Sequence, residues 1–191
     1  MMITFKQSVI AGILIGMGVI INTLTSTPEL GALFFSFGLL TIIELSIPLY
    51  TGRIGFYDLS KEKTKNLGII LIGNLLGILF CIFCYQFANP EFFNTLSAKA
   101  MIKFDKGFVE CAAAGLFCGA LIHFAVRAKQ HVTTILAIML FILMGAEHCI
   151  ADFPYLLMTT NPLNWLKFLL IVLGNSLGAI FVENMLKKEG N

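Results

Sequence analysis

The chain is 191 residues long, 58% hydrophobic and 13% charged, with a formal net charge of +2 and a mean hydropathy of +0.88. Soluble domains carry about 45–50% apolar and about 25% charged residues, so this chain has too little polar surface to coat a water-soluble fold. The figures exclude a secreted enzyme, a disordered chain and a nucleic-acid binder, and they predict a single integral membrane domain over residues 1–191.

A bilayer crossing takes about 20 apolar residues, and six stretches are read as spans. The first, residues 8–23, follows Lys6 and holds Gly12, Gly16 and Gly18. No small-residue cleavage site follows it, so it reads as a span with a close-packing face rather than as a signal peptide. The second, 30–49, ends in Pro48-Leu49-Tyr50-Thr51-Gly52. Proline has no amide hydrogen and glycine permits a left-handed backbone, which predicts a break.

The third span, 67–87, contains Gly73-Asn74 and the pair Cys81 and Cys84. The CxxC spacing lacks polar access and partner ligands, so these thiols read as small buried groups, like Cys111, Cys118 and Cys149. Lys99, Lys103 and Lys106 precede the fourth span, 107–126. The fifth, 132–158, contains Gly145-Ala146-Glu147-His148-Cys149-Ile150-Ala151-Asp152-Phe153-Pro154, three ionisable groups followed by a proline. The sixth, 163–184, carries Gly174-Asn175. Non-helical backbone at membrane depth is tolerated only where it lines a cavity or is buried in protein. Intramembrane ionisable groups point by default to function, which singles out His148.

Six spans place both termini on one side. That side carries Lys6, Arg53, Lys61, Lys63, Lys65, Arg127, Lys129, Lys187 and Lys188, against Lys99, Lys103, Lys106 and Lys167 on the other. The excess predicts cytoplasmic termini.

Gly73-Asn74-Leu75-Leu76-Gly77 recurs as Gly174-Asn175-Ser176-Leu177-Gly178 at an offset of 101, and Gly12…Gly16 pairs with Gly115…Gly119 at an offset of 103. A duplicated unit of three spans must cross the membrane in opposite senses, the pattern of channels and transporters. Residues of about 1–88 and 107–191 form the two halves, and the two interrupted spans face each other. Thr51 and His148 lie 97 residues apart, close to the repeat offset, which predicts the facing of the two breaks across a pseudo-twofold axis.

Several of these motifs resemble the formate/nitrite transporter family. Leu49-Tyr50-Thr51-Gly52 is similar to its broken second helix, and Gly145 to Asp152 to its Gly-Phe-Glu-His-Ser-Ile-Ala-Asn element. Lys103 with Glu110, the paired Gly-Asn motifs and Phe35-Ser36-Phe37-Gly38-Leu39 are similar as well, and the likeness covers almost the whole chain, which is shorter than typical members. The resemblance implies an all-α, aquaporin-like protomer with six transmembrane helices, an inverted 3+3 repeat, broken second and fifth helices and a homopentameric assembly. It implies Phe35 and Phe141 at a periplasmic constriction, Leu39, Leu49 and Tyr50 at a cytoplasmic one, and Thr51 facing His148. Asn74 and Asn175 would support the breaks, and Gly119 would occupy the pore position of a family Asn. Tyr50, Ala146 and Asp152 stand where the family has Phe, an aromatic and Asn, and His123 where it has an apolar residue.

The function expected is a pH-dependent channel or transporter, in the cytoplasmic (inner) membrane, for small monovalent weak-acid anions such as formate, nitrite or hydrosulfide. Its partners are the anion, protons and the lipid bilayer, with no cofactor and no catalytic or metal residue. An anion stripped of water loses of order 20 kcal/mol in the idealised limit, whereas a neutral acid crosses cheaply, and histidine is suited to supply the proton. Helix periodicity puts Asp152 on the face of His148, where it and Glu147 would tune the ring. Lys103 is expected to draw anions to the outer mouth. Glu44 and Glu110 are expected to pair with backbone or a neighbouring protomer, and His123 to serve a helix contact. An aquaporin-type channel would show paired Asn-Pro-Ala breaks, whereas Asn89-Pro90 and Asn161-Pro162 read as turns. A membrane-embedded enzyme would use Glu147, His148 and Asp152 but lacks a partner cluster. A pump would need a phosphate loop, and the sequence has none.

Overall fold

The computed structural model describes residues 5–57 and 61–187, without the side chains of 61–63, so Lys188 and the side chains of Lys61 and Lys63 in the charge comparison lie outside it. Among the described residues the regular structure is entirely helical. The helices are α1 (Phe5–Leu24), α2 (Pro28–Glu44), α3 (Tyr50–Arg53), which continues as a 3₁₀ turn at Ile54–Phe56, α4 (Lys61–Ala88), α5 (Phe92–Lys103), α6 (Phe108–Ala128), α7 (His131–Leu143), α8 (Cys149–Leu157) and α9 (Leu163–Leu186).

Within the described residues, α1, α6, α9 and the part of α4 from Thr64 are long and apolar enough to cross a bilayer without interruption. The two remaining crossings are broken, α2 with α3 and α7 with α8. The pairs α1–α4 and α6–α9 pack along their lengths, and α2 and α7 meet between them. Large apolar side chains such as Phe80, Phe83, Leu173 and Phe181 face outward, an arrangement suited to lipid or another apolar surface.

The first correction concerns the repeat. A Cβ at Gly12 would collide with the carbonyl of Asn74, and one at Gly119 with the carbonyl of Asn175. Gly12 therefore corresponds to Gly119, 107 residues on, and not to Gly115. The error is four residues, about one helical turn. Glycines four apart lie on one helix face, so spacing alone cannot detect such a slip.

The two breaks are built alike. α2 ends with Ser46 N–H donating to Ile43 O at 3.1 Å and Ile47 N–H to Ile42 O at 3.2 Å. α7 ends with Gly145 N–H donating to Ile142 O at 3.0 Å and Ala146 N–H to Phe141 O at 2.9 Å. These are matched Schellman terminations, each requiring a left-handed residue after the cap. Gly145 (φ +68°) supplies it in one half and Ser46 (φ +54°) in the other. The expected turn glycine, Gly52, instead lies inside α3.

Each break leaves polar backbone deep in the protein, and an asparagine from the third helix of the same half satisfies it. Asn74 accepts from Tyr50 N–H at 2.8 Å and donates to Ser8 O at 2.8 Å and Pro48 O at 3.1 Å. Asn175 accepts from Cys149 N–H at 2.9 Å and donates to Gly115 O and Glu147 O, both at 2.8 Å. Both carboxamides are fully buried. A buried polar group left unpaired costs about 1–3 kcal/mol, so these asparagines allow the chain to stop a helix in mid-bundle.

Candidate functional site

Where the broken helices face each other, Thr51 Oγ1 lies 2.9 Å from His148 Nε2. His148 is the N-cap of α8, and its Nδ1 accepts the Ala151 N–H at 3.1 Å. An Nδ1 that accepts carries no proton, so the neutral ring is protonated at Nε2 and donates to Thr51. The threonine hydroxyl keeps its own hydrogen for another acceptor. Both side chains are almost completely buried.

Phe141 stacks on the imidazole, with centroids 6.1 Å apart, and Phe35 meets Phe141 edge-on at 5.9 Å. All three rings line a cavity of about 370 Å³ that opens beside α5. On the opposite side, Leu39, Leu49, Gly52 and Arg53 line a second cavity of about 290 Å³. The Thr51–His148 hydrogen bond lies between these blind vestibules.

Three expected pore residues are placed otherwise. Tyr50 turns away from the Leu39–Leu49 vestibule, and its hydroxyl lies 3.0 Å from Ser176 Oγ on α9. Gly119 lines neither cavity but forms the α6–α9 seam against Asn175, because the close approach of the two backbones leaves no room for a side chain. Lys103 lines the Phe35–Phe141 vestibule but is not a free charge. Its Nζ pairs with Glu147 and, at 3.0 Å, with Asp152 Oδ1, and lies 5.5 Å from the Tyr155 ring centre. Burial works against the lysine charge, but Asp152 and Glu147 outweigh it and hold the pKa above the ordinary lysine range. Asp152 sends only its backbone N–H toward His148, to the carbonyl at 2.8 Å, while its carboxylate serves Lys103.

Lys106 was not singled out in the sequence. It donates to Glu147 Oε1 at 2.5 Å and to Gly145 O at 2.6 Å. Lys99 donates to Asn22 O at 3.0 Å. The four-residue spacing of Lys99 and Lys103 puts both on one face of α5, whereas Lys106 follows the end of that helix and its pairing had no helical signal. Glu110 accepts from Gly107 N–H at 2.6 Å, so it is a helix cap as expected of a backbone partner. Glu44 bonds to His131 at 2.5 Å across an exposed surface. His123 is a buried helix-contact histidine, 2.8 Å from Glu183 on α9. Asn89 and Asn161 lie outside helices, as turns should.

Two vestibules separated by facing helix breaks, in halves that repeat one another, define the build of a transmembrane pore. The chain belongs to the formate/nitrite transporter family, whose model matches residues 1–187. A curated relative, the formate channel FocA of Haemophilus influenzae, is 25% identical over an alignment covering 78% of this chain and 64% of that protein. The chain thus spans just under two thirds of that relative's length. Two solved structures share the fold. A pentameric formate channel with formate bound is 21% identical with a TM-score of 0.82, over 95% of this chain and 93% of that one. An FNT family ion channel is 19% identical with a TM-score of 0.79, over 95% and 87%.

Proposed function

We propose that the chain is a pH-dependent channel for small monovalent weak-acid anions of the formate and nitrite class, which cross its centre as neutral acids. The single observation that carries the reading is the Thr51–His148 hydrogen bond between two vestibules. The relatives named above support the substrate class. An anion entering the apolar zone meets the Thr51 hydroxyl. A proton taken up at His148 Nδ1, with release of the Ala151 amide, allows the Nε2 proton to pass to Thr51 while the threonine proton passes to the anion. The ring ends neutral with its proton on Nδ1, and the substrate becomes an uncharged acid. Loss of the Nδ1 proton and uptake of one at Nε2 restores the starting tautomer and with it the Ala151 bond.

The same reading assigns Phe35 and Phe141 to the outer constriction and Leu39 and Leu49 to the inner one. It makes Glu147 and Asp152 the anchors of Lys103 and gives Asn74 and Asn175 the support of the breaks. It treats residues 1–191 as one domain in the cytoplasmic membrane, with both termini inside, as the lysine and arginine asymmetry supports. The pentameric neighbour supports a homopentamer. The test is flux in proteoliposomes loaded with a pH dye. Formate or nitrite entry should carry one proton per anion and accelerate as external pH falls. Flux that moves net charge without protons would overturn the reading.

A further inference from the structure

The two vestibules are charged differently, because each break is braced by a cation whose remaining bonds differ. In the outer half, Lys106 Nζ donates to the carbonyl of Gly145, the left-handed residue of the α7 break. In the inner half, Arg53 Nη2 donates at 3.2 Å to the carbonyl of Ser46, the equivalent residue of the α2 break. Both cations line their vestibules. The Lys106 charge is neutralised by Glu147 at 2.5 Å, and Lys103 is held by Glu147 and Asp152. Among the described residues no carboxylate pairs with Arg53, whose one hydrogen bond goes to the neutral Ser46 carbonyl and leaves most of its five N–H donors open. Lys129 lines the same cavity, and among the described residues no acidic side chain does. Among the described residues, Glu44 is engaged with His131 and Glu183 with His123 and Arg127.

We propose that Arg53 is an anion-docking residue of the inner vestibule, selective for small planar oxyanions such as carboxylates and nitrite. This rests on the channel reading above and narrows its substrate class. A guanidinium presents parallel N–H donors that match two oxygens of one planar group, a match that an anion with a single acceptor atom, such as hydrosulfide or chloride, cannot make. Arg53 is the last residue of α3 and stands two residues after Thr51. Leu39 and Leu49 form apolar walls of the same cavity. An anion bound there is held at the edge of the dry zone, next to the segment that carries the central hydroxyl. In the outer half Lys103 and Lys106 are already paired with carboxylates, and the remaining cation, Lys99, bonded to Asn22 O, is an ammonium without the guanidinium's parallel fork. Capture is therefore stronger from the Arg53 side.

The test compares wild type with Arg53→Lys and Arg53→Gln in proteoliposomes, by the half-saturating concentrations of formate, nitrite and hydrosulfide. Arg53→Lys keeps the charge and loses the fork, and should raise the values for formate and nitrite about tenfold while leaving hydrosulfide unchanged. Equal values for Arg53→Lys and wild type, or the same rise for hydrosulfide, overturn the proposal. Line broadening of ¹³C-formate by the detergent-solubilised protein reads the site without transport. Broadening by wild type that is lost in Arg53→Lys supports docking even where the channel reading fails. Identical broadening, or none with either protein, overturns it.

Discussion

Thr51 and His148 come from opposite halves of the chain, 97 residues apart, and share one hydrogen bond of 2.9 Å at the junction of two cavities. Asparagine at 148 can donate to Thr51 but cannot pass a proton from one ring nitrogen to another. His148→Asn should therefore lower formate flux at least tenfold, in line with the scale of positioned proton transfer, roughly 10²–10⁴. It should also flatten the rise in flux at low pH. Thr51→Val keeps the shape and removes the hydroxyl, and should give the same loss. Stopped-flow acidification in liposomes reads both, and a wild-type pH profile in either variant counts against the relay.

Phe35 and Phe141 meet edge to face at 5.9 Å in the outer vestibule. Phe35→Ala and Phe141→Ala should each raise acetate and lactate flux relative to formate. The double variant should fall short of the sum, because residues in contact do not act independently. The readout is a selectivity series. An unchanged order of anions would remove the rings from the constriction.

The asparagine knots predict a stability effect separable from transport. Asn175→Leu leaves the Cys149 N–H and the Glu147 carbonyl without their partner in a buried place. At about 1–3 kcal/mol for each orphaned group, the loss should reach about 3 kcal/mol. Asn74→Leu should cost a similar amount, since it frees Tyr50 N–H and Pro48 O. Thermal unfolding of the solubilised protein measures this, and a shift in only one of the two would contradict the equivalence of the halves.

Ser46 and Gly145 give opposite predictions from one geometry. A non-glycine residue in the left-handed region costs about 1 kcal/mol, so Ser46→Gly should stabilise by that amount. Gly145→Ala should destabilise by as much or more. Paired unfolding curves check the sign, and the same sign in both would refute the shared termination.

The apolar helices and the breaks were legible because composition, proline and glycine act locally. The facing of the two breaks was legible because the Gly-Asn offset carries a long-range relation in the sequence. The α1–α6 register was not, since glycines repeat on one face with the period of a turn. Ser46 gave no signal, because serine does not advertise a left-handed backbone as glycine does. Lys103 was placed at the right vestibule but assigned a free charge. Sequence distance hid how closely Glu147 and Asp152 approach it. Tyr50 pointed elsewhere because its phenol found Ser176, a partner that only the folded α9 presents.

Asn74 and Asn175 each fasten three backbone groups from two separate stretches of chain, so neither interruption can open without breaking several buried bonds at once. In the channel proposed above, traffic is then governed by turning rings and hydroxyls rather than by the frame. Such rotamer turnstiles work far faster than any rearrangement of helices.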